Sequence, residues 1–240
     1  MIEIGRVEGV FRYPVKSMGG ESVEAATMGW HGVEGDRRLA FRRIGDRGGF
    51  PWLTAGKLPE LVLFRPVCRD GELPAYVRTP DGSELAVFGE GLAAEVGRRY
   101  GAPVEMMQKK NGIFDDASIS VIGSDTIREI GRLAGRSLDA RRFRPNIVVS
   151  LVQPGAFQED TWLGGTLLFG EGENAPAVQV TGPDMRCSMV NLDPDSANPQ
   201  PEVLKAIVRA NDNRAGIYGT VTRMGRVAVG QAVFLKPNSI

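Results

Sequence analysis

The chain has 240 residues, 42% of them hydrophobic, which is enough to bury one large core or two modest ones. Its 29 basic and 29 acidic side chains cancel, so the overall charge gives no general attraction to nucleic acid or to an anionic membrane. The single histidine, His31, excludes a histidine-rich metal centre, and two distant cysteines without CxxC spacing exclude a disulfide framework and indicate a reducing compartment.

The N-terminal segment has no basic stretch followed by an apolar run, which a secretory leader would show. No later run approaches the roughly 20 apolar residues that a membrane span needs. We therefore expect a cytoplasmic protein with neither a membrane nor a nucleic acid as its partner.

Short runs rich in valine, isoleucine, leucine and phenylalanine follow one another from the N-terminus. They are separated by 31 glycines and 15 prolines, a pattern typical of strands joined by tight turns. Three segments have helical periodicity instead, around residues 92–100, from about Ser124 and from about Pro201. Ser124 or Asp125 is the expected cap of the second helix.

The last stretch alternates valines on both sides of Met224-Gly225, which predicts a terminal hairpin. The expected fold class is therefore mainly β with a few helices (α+β). A boundary near residues 108–114 would separate a strand-rich unit, residues 1–110, from a second unit, residues 111–240.

Cys187 is the sharpest chemical feature of the sequence, in the segment PDMRCSMVNLDPD. The guanidinium of Arg186 beside it favours the thiolate, which is both the nucleophilic form and a soft metal ligand. Free cysteines are, however, usually buried and act as small hydrophobes. We favour that interpretation for Cys68, which ends an apolar run.

Basic residues cluster beside proline or glycine turns at three places. The clusters are Lys16-Ser17, Arg37-Arg38 and Arg141-Arg142 with Arg144. Arginine forks suit phosphate and other polyoxygen anions, and a lysine with a neighbouring hydroxyl can contact a phosphate tail. In an extended strand Arg142 and Arg144 would share one face. Such clusters can equally form a solvated surface, and no GxxxxGKS/T loop is present.

Taken together, these motifs resemble the MOSC family, the molybdenum cofactor sulfurase C-terminal domain proteins, which include the amidoxime-reducing components. YPVKS, GDRR and LTAGKLPEL in the first half resemble the family's N-terminal β-barrel domain. FRPNIV, EDTW, RC and DPD follow in the family's order in the second half. The resemblance covers nearly the whole chain and implies a MOSC-type β-barrel in residues 111–240, preceded by a β-barrel N-terminal domain in residues 1–110.

The resemblance implies that the molybdenum cofactor, Mo-molybdopterin, binds here, with Cys187 as the metal ligand and catalytic residue. The cofactor-binding residues that it implies are Lys16, Ser17, Arg37, Ser118, Arg144, Asn146 and Arg186. It also implies a reductase of small N-oxygenated compounds, such as hydroxylamines and amidoximes. With no CxxxxCxxC run for an iron-sulfur cluster, the electrons would come from a separate donor protein.

The chain departs from the family at Gly56-Lys57, where an arginine and a glutamine are common, so the substrate contacts are expected to differ. Two other functions remain open: a sulfur carrier using a Cys187 persulfide in cofactor or cluster maturation, and a binding module with a degenerate site. His31 and Asp184 are both candidate proton donors.

Overall fold

The computed structural model describes residues 1–68 and 73–238, and a closed barrel of seven strands is its largest feature. The strands of the first half are β1 (Ile2–Arg12), β2 (Glu21–Val23), β3 (Ala25–Gly29), β4 (Gly32–Val33), β5 (Leu39–Arg43), β6 (Arg65–Val67), β7 (Tyr76–Arg78), β8 (Glu84–Ala86) and β9 (Val104–Gln108). Those of the second half are β10 (Ile119–Gly123), β11 (Ile147–Leu151), β12 (Thr166–Phe169), β13 (Ala177–Met185), β14 (Arg214–Arg223), β15 (Gly225–Ala228) and β16 (Ala232–Lys236).

The barrel runs in the order β11-β10-β14-β13-β12-β16-β1 and closes where β1 pairs antiparallel with β11. Closure removes the unpaired edges that an open sheet would expose. The barrel core is formed by alternating apolar side chains of these strands, among them Val7, Val121, Val149 and Ile217. The prediction of a mainly β fold with a few helices is confirmed.

The first strand joins the two halves of the chain, because β1 lies in the barrel between β11 and β16. Five of the other first-half strands form two small sheets, β5-β9 and β6-β7-β8, around a second core with Phe41, Phe64 and Leu92. Leu192 and Ala197, from the second half, are buried in that same core. The division of the chain at residue 110 stays a prediction.

The three predicted helices are confirmed, as α1 (Glu90–Tyr100), α2 (Ser124–Leu133) and α3 (Glu202–Asn211). Helices α2 and α3 contact each other and share a third core with Ile130, Phe143 and Ile207. Four short 3-10 helices complete the described structure: Pro59–Leu63, Ala140–Arg142, Gln158–Trp162 and Ser188–Asn191. No helix in the described ranges is long and apolar enough to cross a membrane.

The predicted terminal hairpin is wrong. Strand β15 pairs antiparallel with β3, whereas β14 pairs with β10 and β13 in the barrel. Only Met224 separates β14 from β15, and a hairpin needs at least two turn residues to fold back on itself. The alternation correctly predicts strands at Val221, Val227 and Val233, whereas Val229 lies in a turn. The partners of β14 and β15 lie far away in sequence.

The predicted cap of α2 is also wrong, because its N-cap is Gly123 and no side chain caps it. The buried carboxyl group of Glu159 lies at the N-terminus of α2 instead. Glu159, in the 3-10 helix Gln158–Trp162, accepts hydrogen bonds from Thr126 Oγ1 at 2.9 Å and from the Gly123 amide at 3.4 Å. It has no described lysine or arginine within 4 Å, and burial raises its pKa.

This burial predicts how stability depends on pH. The folded-state pKa of Glu159 lies above its unfolded value, so its contribution to stability is largest below about pH 4.3 and is lost as pH rises through the folded pKa. Glu159→Gln cannot ionise and should therefore gain stability relative to wild type as pH rises above about 4.3. Urea unfolding of both proteins at a series of pH values from about 4.3 upward measures the gap. The exposed Glu173→Gln serves as control, and a pH-independent gap for Glu159→Gln would contradict the prediction.

Candidate functional site

A cavity of about 350 Å³ lies where loops from both halves of the chain meet the C-terminal end of β13 and the middle of β14. Of the eight residues predicted for the site, it brings six together. They are Lys16, Ser17, Arg37, Arg144, Arg186 and Cys187. Its wall is thus rich in cationic donors around a single thiol, while Phe50 and Met185 give its rim an apolar surface.

Cys187 immediately precedes the 3-10 helix Ser188–Asn191, and its side chain is exposed. Because Cys187 lies two residues beyond the end of β13, the barrel fixes where the thiol sits in the cavity wall. Cys68, in contrast, is half-buried, and burial together with nearby Glu21 raises its pKa to about 11. Only the Cys187 thiol is therefore open to the cavity, and Cys68 remains in the unreactive thiol form.

Arg37 is held between two carboxylates. Its guanidinium donates to buried Asp36 and forms an ion pair with Asp115 through Nε at 2.6 Å. Burial alone would lower the pKa of Arg37, but these two carboxylates raise it above its ordinary value. Arg37 Nη2 also donates to the Arg144 carbonyl at 2.6 Å, which connects the loop of Arg37 to the loop of Arg144. The positive charge of Arg37 is compensated by the carboxylates of Asp36 and Asp115.

Arg144 is the opposite case. Its Nη1 donates to the Met18 carbonyl at 2.5 Å and its guanidinium lies 4.2 Å from the centre of the Tyr13 ring. No described carboxylate lies within 4 Å, and its buried Nη2 has no hydrogen-bond partner among the described residues. Burial, with Arg37 nearby, lowers the pKa of Arg144 to about 10. An uncompensated cation therefore lines the cavity, where an anion would stabilise it.

Three of the seven described non-glycine residues with a positive φ angle lie at this cavity. Ser17, Arg37 and Arg144 have φ angles of 66°, 46° and 52°, in the left-handed region that residues other than glycine seldom adopt. Such conformations cost about 1–3 kcal/mol each and persist where the surrounding structure fixes them, often at functional sites. All three line the cavity.

A buried network supports the residue before the thiol. Arg186 donates through Nε to the Ala215 carbonyl and through Nη1 to the Phe143 carbonyl, both at 2.7 Å, and pairs with Asp184 at 2.7 Å. Asp184 also accepts from Ser120 Oγ at 2.8 Å and from the Tyr218 hydroxyl. Burial raises the pKa of Asp184, so this acid beside the cavity holds a proton more readily than an ordinary aspartate.

Two family models match the chain. The MOSC domain model matches residues 108–234, more than half of the chain, and the MOSC N-terminal beta barrel domain model matches residues 4–118. The chain belongs to the MOSC family. The match to both models confirms the resemblance inferred from the motifs.

Known proteins similar to this MOSC chain agree with that assignment. Mitochondrial amidoxime-reducing component 1 of Mus musculus is 24% identical over 290 residues, covering 97% of this chain and 83% of the relative. The crystal structure of the YUAD protein from Bacillus subtilis superposes with a TM-score of 0.55 at 18% identity, covering 98% of this chain and 97% of the other. At that identity the second similarity concerns the fold alone.

Two of the predicted site residues of this MOSC chain do not line the cavity. Asn146 is fully buried beneath it, where its Oδ1 accepts from Arg37 Nη1 at 3.4 Å and from the Ser120 amide at 3.1 Å. Ser118 is half-buried just before β10. Asn146 thus contacts Arg37 from behind rather than facing the cavity.

The expectation that Arg142 and Arg144 share a strand face is wrong. Arg142 ends the 3-10 helix Ala140–Arg142, and Arg144 has a left-handed backbone conformation. Neither residue is in an extended strand, so the two-residue spacing does not place their side chains on one face. Arg142 also lines the cavity, but its charge is paired with Asp193 at 2.8 Å. The Asp-Pro-Asp motif, residues 193–195, therefore fixes the loop that follows Cys187 through the ion pairs of Asp193 with Arg142 and of Asp195 with Arg141.

Several cavity residues were missed by sequence reasoning. Asp115 and Tyr218 both line the cavity, and Asp36 lies buried directly behind Arg37. Asp36 stands beside Arg37 in the GDRR motif, which was an available signal. Asp115 stands in a segment without periodicity. Tyr218 lies in β14, and the alternation that predicts a strand does not link it to Cys187. Of the two candidate proton donors, Asp184 lines the cavity, while His31 is exposed on the β3-β4 turn outside it.

Proposed function

We propose that this protein binds the molybdenum cofactor in the large cavity, with Cys187 as the metal ligand, and reduces small N-oxygenated compounds. The observation that carries the proposal is that one cavity joins an exposed thiol to the uncompensated cation of Arg144. MOSC domains are associated with this cofactor, and the mouse relative is named as an amidoxime-reducing component.

The residues present fit an anionic pterin. Lys16, Ser17 and Arg144 offer donors suited to a phosphate, and Arg144 Nη2 is buried without a partner among the described residues. Burial lowers the pKa of Lys16, whose Nζ donates to the Phe114 carbonyl at 2.7 Å. A bound anion would favour the charged form of Lys16 and raise its pKa. The thiolate of Cys187 is a soft ligand of the kind that covalent metal centres take.

The bound cofactor would supply two-electron oxygen-atom transfer. This chain's own residues would bind and orient the substrate and move protons. Reduction of R–NHOH to R–NH₂ and water breaks the N–O bond and needs two electrons and two protons, the electrons coming from a separate donor protein. Asp184, with a raised pKa and the Tyr218 hydroxyl bonded to it, is the group best placed to supply a proton at the cavity wall.

Molybdenum and pterin content tests the proposal. Wild type expressed in a host that makes the cofactor should carry both. Cys187→Ala should lose molybdenum and keep more of the pterin, because the cationic residues remain. Cys68→Ala is the matched control and should keep both. Loaded wild type should then reduce hydroxylamine or an amidoxime with an artificial reductant, and equal molybdenum in Cys187→Ala and wild type would refute the assignment of the ligand.

A second candidate function is sulfur transfer through a Cys187 persulfide, which the exposure of the thiol favours. It requires no pterin in the cavity. Wild type without molybdenum or pterin, carrying the mass of one extra sulfur atom on Cys187, would support this function in place of the reductase. A cytoplasmic location remains a prediction under either function.

A further inference from the structure

Gly56 lines the large cavity and is exposed. Its φ angle lies outside the left-handed region, so the backbone does not require glycine at this position. Beyond its chain neighbours, a Cβ atom built on Gly56 would meet Ser188 Oγ and Thr54 Oγ1 among the described residues, each at 3.6 Å. Both are ordinary van der Waals contacts. Neither backbone conformation nor packing therefore excludes a Cβ atom at position 56, and glycine leaves that space open.

The open space borders the segment that carries the thiol. Ser188 directly follows Cys187 in the chain, and both residues line the same cavity as Gly56 and Thr54. Because a Cβ atom at position 56 would already contact the Ser188 hydroxyl, a longer side chain there would compete with any molecule for the room beside Ser188. The size of the residue at position 56 therefore limits how much of a bound molecule this part of the cavity can hold.

The cavity also has an apolar part that an anionic cofactor does not use. Phe50 and Met185 line it with 53% and 54% of their surface exposed, and half-buried Met189 lines it as well. Large apolar side chains that are exposed at a cavity are typical of a surface that binds an apolar group. A phenylalanine ring and a methionine sulfur both pack favourably against an aromatic ring. This part of the wall therefore suits an aromatic group.

We propose that Gly56 determines substrate specificity, by leaving room in the cavity for an aromatic substituent of the N-oxygenated substrate. The ring of the substrate packs against the apolar surface of Phe50 and Met185, and a larger residue at position 56 excludes it. A substrate with a small substituent gains little from this space and loses little when it is filled. The reaction itself rests on the proposed function, whereas the contact between the ring and the cavity wall can be measured without turnover.

Two amidoximes that differ only in their substituent test the proposal. Benzamidoxime carries a phenyl group where acetamidoxime carries a methyl group, and the ratio of their kcat/KM values does not depend on how much cofactor a variant holds. Gly56→Leu should lower the ratio of benzamidoxime to acetamidoxime by at least about 10-fold, since a misfit of one methylene in an apolar pocket already costs that much. Gly56→Ala fills less space and should lower the ratio less. It replaces Gly56→Leu in the comparison if that variant does not fold.

Gly91→Leu is the matched control and should keep the wild-type ratio. Gly91 is exposed and lies outside the large cavity, where its Cβ atom would meet Leu85 Cδ2 at 3.6 Å.

NMR of protein labelled at the methionine methyl groups measures binding without turnover. Benzamidoxime should shift the Met185 signal, identified by its loss in Met185→Leu, in wild type and Gly91→Leu but much less in Gly56→Leu. No shift in wild type, an equal shift in Gly56→Leu, or an unchanged kcat/KM ratio in Gly56→Leu would overturn the proposal. If loaded wild type reduces neither amidoxime while the shift still depends on Gly56, the proposed reaction is refuted and the aromatic site stands.

Discussion

Arg37→Met is expected to lower the free energy of unfolding by about 3–5 kcal/mol, because it leaves a buried carboxylate without its cation. Asp36 is fully buried, and Arg37 is the cation that its Oδ2 contacts. The Asp36 Oδ1 accepts from the Tyr13 amide at 2.6 Å, which does not replace a full charge. Domains of this kind are stable by only about 5–15 kcal/mol, so the loss would be a large share of the total.

Urea unfolding measures the effect of Arg37→Met. Arg38→Met is the matched neighbour and should cost about 1 kcal/mol. Among the described residues, Arg38 donates only to the backbone carbonyls of Lys109 and Lys110. The double change Asp36→Asn with Arg37→Met should recover part of the loss by removing both charges. If Arg37→Met unfolds at the same urea concentration as wild type, the Asp36–Arg37–Asp115 group does not hold the loops together.

The periodicity of apolar residues predicted helices and strands well, but it did not predict which strands pair with each other. The helix over Ser124–Leu133 follows from Ile127, Ile130 and Leu133 at three-residue steps, a signal contained within the element itself. The pairing of β15 with β3 joins residues about two hundred positions apart and depends on how the barrel closes. Local pattern contains no information about such contacts, which explains the wrong hairpin.

For the candidate site, the sequence likewise predicted which residues lie together better than what each residue does. Cys187, Lys16 and Arg144 lie in motifs that could be aligned with a family, so their presence in one cavity was predictable in outline. Their roles were not predictable, because a role depends on which charges the fold brings near. Arg37 and Arg144 look alike in sequence, beside similar turns. The structure gives Arg37 two carboxylates and Arg144 none among the described residues.

That difference predicts opposite behaviour for the second arginine. Arg144→Met should leave the unfolding free energy of the cofactor-free protein within about 1 kcal/mol of wild type. It loses the hydrogen bond to the Met18 carbonyl, but it also removes an unpaired buried cation. Removing a charged hydrogen-bond donor from a bound anion costs about 1.5–3 kcal/mol, so affinity for the phosphate-bearing pterin should fall about 10–100-fold.

Pterin and molybdenum retained after equilibrium dialysis measure that loss, with urea unfolding of the same samples as the stability readout. Arg141→Met is the control, because Arg141 pairs with Asp139 and Asp195 and does not line the large cavity. Arg144→Lys should retain an intermediate amount, since it restores a charge without the planar fork. Unchanged retention in Arg144→Met would show that the cofactor is held without this residue. A retention loss matched by unfolding would show instead that Arg144 supports the fold, as Arg37 does.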